Sequence, residues 1–219
     1  MLPMVCFVGA SDCGKTTLIE NIIPILSRNG IKVGTIKNDV HGFDVDKEGK
    51  DTYRHKKSGA YSVIISGLDN FAMISDGNSK MTLDDYLFLV SDKVDIVLGE
   101  GFKSSEKPKI ELFLKGTSKE LLCANDPHLV AVATDDPDTV KRMTNRPILN
   151  LNDYGEIANY VQKHFVNPRK RRVSLVVNGK KIKIKDFVED ILASTIKGMV
   201  SELRDCENPR NIRIVINED

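Results

Sequence analysis

The chain has 219 residues, 41% of them hydrophobic and 29% charged, which gives enough apolar material for one sizeable α/β core and a small appendage. Its formal net charge of +1 argues against bulk electrostatic capture of nucleic acid, and no apolar run approaches the 18 residues of a membrane-spanning helix. The charge is uneven: residues 166–219 carry 12 Lys/Arg against 8 Asp/Glu, whereas the rest carries 20 against 23. The four cysteines (Cys6, Cys13, Cys123 and Cys206) form no C-x-x-C pair, so neither a zinc ribbon nor a disulfide framework is indicated. With no signal-peptide pattern ahead of the first apolar run, a cytoplasmic protein is expected.

From the N-terminus, Met4–Val8 reads as a buried strand, followed by GASDCGKTT over residues 9–17. Gly9 to Thr16 is a complete G-x-x-x-x-G-K-[ST] phosphate loop, and a helical pattern with Leu18, Ile22, Ile25 and Leu26 on one face follows it. In this context the glycines let backbone N–H groups point at phosphates, and the helix N-terminus adds partial positive charge. Lys15 is expected at the β/γ-phosphates and the Thr16 hydroxyl on Mg²⁺. Pro24 inside the pattern is expected to kink the helix, and Asn29-Gly30 to end it.

Lys32–Ile36 reads as a second strand and leads into a polar block, Lys37 to Asp46. Here Asp39 is a candidate for metal or metal-bound water, Lys37 for phosphate charge, and His41 for a metal ligand. A basic helix is expected from Glu48 to Lys57, with Arg54 in reach of a γ-phosphate. Short strands follow at Val63–Ile65 and Phe71–Ile74 around a Gly67 turn. Thr82 is placed to cap a helix over Leu83–Val90. Asp95–Leu98 is a central parallel strand with Glu100 just past its C-terminal end, where open α/β sheets bind ligands. Asp95 lies roughly 13 Å back along that strand, which makes Glu100 the better Mg²⁺ partner.

Lys103 and Lys109 are expected to bring positive charge to the ligand edge. Further strands are expected at Ile110–Leu114, Leu129–Ala133 and Ile148–Leu151. Asp135-Asp136-Pro137 fits either guanine recognition or a helix cap, and Asp153 can cap a last helix ending near Phe165. Alternating strands and helices predict an α/β fold with a mostly parallel sheet covered on both faces. The basic run 169–172 reads as a linker ending a first domain at 1–166. Beyond it, residues 173–219 predict a β-hairpin turning at Asn178-Gly179, an amphipathic helix over Phe187–Leu203, and a strand at Ile212–Ile216.

Three ordered blocks, GASDCGKTTL, KVGTIKNDVHGFDVDKEGKDTYRHKKSGA and VDIVLGEGFK with PKIELF, resemble the molybdopterin-guanine dinucleotide biosynthesis protein B (MobB) family over about residues 4–165. The chain departs from it at Asn38 and Val40, where relatives often carry His, and at Leu114-Lys115, where an Arg often stands. The resemblance implies a P-loop NTPase-type fold and a cytoplasmic homodimer that binds GTP and Mg²⁺ with weak hydrolysis. It also implies an adaptor to the guanylyltransferase (MobA-type) that joins GMP to molybdopterin. Carried over by position, the nucleotide residues are Gly9, Ser11, Cys13, Gly14, Lys15, Thr16, Thr17 and Lys37, the metal residues Thr16, Glu100 and Asp39, and the catalytic ones Lys15 and Glu100. The competing reading is an ATP-dependent kinase or ligase similar to dethiobiotin synthetase, with a second-substrate pocket between Lys37 and Asp51.

Overall fold

A computed structural model describes residues 2–39, 46–76, 81–91, 93–166, 173, 175–178, 180–182, 184–209 and 212–216. The chain divides into two compact units, Met1–Lys37 with Leu87–Asp219, and Asn38–Tyr86. The segment 173–219, set apart by its composition, is grouped with the first of these.

The larger unit is built on β1 (Met4–Gly9), β2 (Val33–Lys37), β5 (Ile96–Glu100), β6 (Lys109–Phe113), β7 (Leu129–Thr134) and β8 (Ile148–Asn150). They form a six-stranded sheet in the order β2-β5-β1-β6-β7-β8, and every neighbouring pair is parallel. The strands flanking β1 come from opposite directions of the winding, so the C-terminal end of β1 is the topological switch point at which such sheets bind ligands. Continuous burial along β1, β5 and β6 fits strands covered on both faces.

One face is covered by α1 (Lys15–Arg28) and α5 (Tyr154–Phe165). Leu18, Ile22 and Leu26 of α1 and Ile157 and Val161 of α5 join Val5, Phe7, Ile96, Leu98, Ile110 and Leu112 in one buried cluster. α1 runs through Pro24 as a single helix. At α5, Asp153 accepts from the Glu156 N–H at 2.9 Å, which is the expected cap.

Ile110 and Leu112 face that cluster, so Lys109 and Glu111 alternate to the other face, where both are fully buried. Irregular chain covers them. Glu111 accepts from the backbone N–H groups of Leu122 (2.6 Å) and Cys123 (2.9 Å). The Lys109 ammonium sits 2.9 Å from Asp126 Oδ2 and also donates to the Ser105 carbonyl. Lys109 therefore does not carry charge to the ligand edge; its buried ammonium is neutralised by the partly exposed Asp126 carboxylate. Burial pushes the Glu111 carboxyl above its ordinary range, against the two N–H donors that favour the charged form.

The Lys109 ammonium, helped by the His128 N–H, holds Asp126 down to about 2. A depressed carboxyl stabilises the fold above its unfolded value and loses that contribution as pH falls through the folded one. The denaturant midpoint of Asp126→Asn is therefore expected below wild type by a constant gap between about pH 7 and 5, narrowing below about pH 4. A gap independent of pH would contradict the ion pair.

The unit 38–86 contains α2 (Asp51–Lys57), an antiparallel hairpin of β3 (Ser62–Ser66) and β4 (Phe71–Ser75), and the start of α3 (Leu83–Val90). The Gly67 N–H donates to the Asn70 carbonyl at 2.8 Å to close the turn. Val63 is buried, whereas the directly opposed Ile64 and Met73 lie exposed on the hairpin's outer side. Thr82 and Asp85 exchange side-chain and backbone hydrogen bonds, the expected cap of α3. α4 (Pro137–Val140) follows β7, with Asp136 as its N-cap.

After residue 172 come a short hairpin of β9 (Leu175–Val177) and β10 (Lys180–Ile182), then α6 (Asp186–Ser201). The strand expected at Ile212–Ile216 does not form: these residues carry no strand pairing and are mostly exposed.

Candidate functional site

The C-terminal end of β1 turns directly into the phosphate loop. Gly9 takes φ +150°, and a Cβ there would lie 2.6 Å from the Leu112 carbonyl oxygen and 2.7 Å from Cys13 Sγ. Only glycine lets the loop pass β6 this closely. Gly14 has φ +86°, the left-handed conformation from which α1 begins, with open space where a side chain would stand. No side chain caps α1, so the first-turn N–H groups at Lys15, Thr16 and Thr17 face outward without a side-chain acceptor. That is the electrostatic arrangement that favours an anion.

Lys15 curls back over the loop, its Nζ 2.5 Å from the Ala10 carbonyl, 3.3 Å from that of Gly9 and 3.7 Å from Cys13 Sγ. Its charge is thus held at the loop's centre by weak carbonyl partners, which a phosphate oxygen would outcompete. Cys13 points into the core beneath, where burial raises its thiol pKa, so only its backbone faces the loop's open side. Ser11 and Thr17 are exposed.

Glu100 is the last residue of β5 and Lys37 the last of β2, and the two are paired in register with Phe7 on β1. This alignment brings three functional groups together. Thr16 Oγ1 donates to Glu100 Oε1 at 2.9 Å, and Lys37 Nζ lies 3.3 Å from the same oxygen. Two oxygens in adjacent positions of an Mg²⁺ octahedron stand about 2.9 Å apart, so the Thr16–Glu100 pair has the span and the hard donors that this ion requires. Immediately beyond, the Gly101 N–H donates to the Phe7 carbonyl at 3.0 Å, which fixes the strand end that presents Glu100.

Asp95 sits at the opposite end of β5, accepting from the Lys32 N–H at 2.9 Å, far from this cluster along the strand. Asp39 is exposed and belongs to the unit 38–86; His41 lies outside the described residues. Among the described residues no three His, Cys, Asp or Glu side chains gather as a metal site. Of the two candidate base-reading carboxylates, Asp136 caps α4 by accepting from Thr139 N and Oγ1, and Asp135 accepts from the Lys115 N–H at 2.8 Å. The buried pair Lys109 and Glu111 on β6, with the partly exposed Asp126 closing over Lys109, is not among the sequence expectations. Its signal was the alternation of charged and apolar residues in Lys109-Ile110-Glu111-Leu112, which on a strand puts both charges on one face.

A central parallel strand running into a glycine-hinged loop and an uncapped helix, with a neighbouring strand delivering an acid to the loop's Thr, defines a P-loop NTPase-type α/β protein. The family described as molybdopterin guanine dinucleotide synthesis protein B (MobB) matches residues 4–135. The molybdopterin-guanine dinucleotide biosynthesis adapter protein of Escherichia coli (strain K12) is 38% identical over 168 residues, covering 74% of this chain and 92% of the relative. The putative adapter protein of Methanocaldococcus jannaschii is 31% identical over 232 residues, covering 96% and 95%. Among solved structures, a crystal structure of MobB aligns with TM-score 0.60 at 25% identity over 73% of this chain and 97% of its own. Bacillus subtilis MobB aligns with 0.60 at 24% over 74% and 98%. The chain belongs to the MobB family.

Proposed function

We propose that this protein is an adaptor in molybdopterin guanine dinucleotide biosynthesis that binds GTP with Mg²⁺ in the Gly9–Thr17 loop and hydrolyses it slowly. The observation that carries the nucleotide reading is the convergence of Thr16 and Lys37 on Glu100 at the mouth of the loop. The adaptor role follows from family membership and from relatives whose names state it. In this reading the uncapped amides of α1 and the loop backbone receive the phosphate oxygens. Lys15 exchanges its carbonyl partners for β/γ-phosphate oxygens, ion-pair contacts in place of two bonds to neutral acceptors. Thr16 and Glu100 are the residues that would hold Mg²⁺, whose charge would offset the negative charge developing on the transferred group. Lys37, released from Glu100, would face the terminal phosphate. No side chain in the Thr16–Lys37–Glu100 cluster is placed as a general base, which fits slow turnover and a binding role.

The partner in this reading is a MobA-type guanylyltransferase, with molybdopterin presented between the two proteins in the cytoplasm. The protein acts as a homodimer, for which the exposed Ile64 and Met73 face of the β3–β4 hairpin offers an apolar surface.

Glu100→Gln keeps the volume and the acceptor for Thr16 but removes the charge. Its Mg²⁺-dependent GTP hydrolysis is expected to fall about 10- to 100-fold, with GTP affinity changed by less than about threefold. Single-turnover kinetics alongside equilibrium binding reads both. Equal loss of binding and turnover would make Glu100 a structural residue.

A further inference from the structure

We infer that residues 173–216 form a second self-association surface, in which β9–β10 and α6 of one copy are covered by the same segment of another copy. This rests on the segment's own packing and not on the nucleotide reading above. No described residue of 173–216 is buried. A two-stranded hairpin and a 16-residue helix are each marginal in water alone, so a fold that shows both must have them covered.

The uncovered side is apolar. Val177 and Ile182, which the strand pairing puts on one face of the hairpin, and Phe187, Ile191, Met199 and Leu203 along α6 and just past it are all exposed, Phe187 by 61% and Met199 by 69%. Within α6, Phe187 and Ile191 are one turn apart and Met199 two turns further on, so the three lie within about 120° of one another around the helix. At roughly 100 Å² apiece, and with the exposed run 214–216, they approach the ~800 Å² that each partner buries in a stable interface.

Three observations choose the occupant. First, the sheet unit offers no complement: among the described residues of 2–37 and 87–166, Leu89 and Leu122 are the large apolar side chains left exposed. Second, the exposed hairpin of 38–86 lies inside the stretch 4–135 that defines the family. The Escherichia coli relative is used up to 92% of its length by 74% of this chain, which leaves it no room for a counterpart of residues 173–219. Whatever covers that hairpin across the family is therefore not this segment. The archaeal relative, aligned over 96% of the chain, shares the segment as an addition. Third, residues 173–219 hold 8 Lys/Arg and 8 Asp/Glu, so two copies do not repel, and the segment has no net field to attract a charged partner. A twofold pairing of like faces satisfies all three.

The test uses four full-length proteins in sedimentation equilibrium: wild type, Ile64→Asp with Met73→Asp, Phe187→Asp with Ile191→Asp, and all four substitutions together. Each position is exposed, so each variant retains its fold. The hairpin variant is expected to stay associated, and adding the α6 substitutions to raise its dissociation constant at least about 100-fold. Monomer from the α6 pair alone would support this surface and overturn the hairpin as a dimer contact. A hairpin variant already monomeric, or a dissociation constant unmoved by the α6 substitutions, would overturn the inference.

Discussion

Lys15→Ala is expected to lower GTP affinity at least about 100-fold while leaving the thermal midpoint close to wild type. The Lys15 ammonium touches only the Gly9 and Ala10 carbonyls and Cys13 Sγ, so little of the fold depends on it. A charge-assisted hydrogen bond contributes about 1.5–3 kcal/mol, and contacts to two phosphate groups add up to two or more decades of affinity. Calorimetric titration of the variant, with circular dichroism to establish folding, measures this. Unchanged affinity in a folded protein would remove the phosphate-loop assignment.

Gly9→Ala is expected to abolish measurable nucleotide binding and to lower the thermal midpoint, whereas Gly14→Ala is expected to be mild. The two glycines serve different ends. At Gly14 the new methyl enters open space and costs only the left-handed backbone, about 1–2 kcal/mol. At Gly9 it meets the Leu112 carbonyl oxygen at 2.6 Å and Cys13 Sγ at 2.7 Å, and neither can withdraw without moving β6 or the core under the loop. The loop must shift, and with it the Gly9 carbonyl that positions Lys15. Thermal unfolding and titration of the two variants side by side provide the comparison. Binding of GTP by Gly9→Ala as tight as by Gly14→Ala would contradict this account of the loop.

What could be read from the sequence was local or rested on strand arithmetic. The phosphate loop is contiguous, its flanking strand and helix are each marked by periodicity, and the caps at Thr82 and Asp153 follow from side-chain chemistry a few residues away. Preferring Glu100 to Asp95 needed only strand rise and the direction of a parallel sheet, and the structure puts the two at opposite ends of β5. The placement of Lys37 against Glu100 depended on β5 lying between β2 and β1, a sheet order that no local pattern encodes.

Lys109 departs from the sequence expectation for a related reason. A strand's alternation says that two charges share a face, but not that an irregular segment from residues 101–108 and 121–126 will close over them. Asp136, balanced in the sequence between base reading and capping, is engaged as a cap because Pro137 and Thr139 start a helix directly behind it. The strand expected at Ile212–Ile216 needed a neighbouring edge to pair with, and a β-branched run by itself does not supply one.

The nucleotide preference of the Gly9–Thr17 loop separates a GTP-binding adaptor from a kinase or ligase. Isothermal titration of the purified protein with GTP, and separately with ATP, each with Mg²⁺, measures that preference. GTP is expected to bind at least about tenfold tighter than ATP, a gap of about 1.4 kcal/mol or more. ATP binding as tight as GTP or tighter would contradict it and point instead to a small-molecule kinase or ligase built on the same loop.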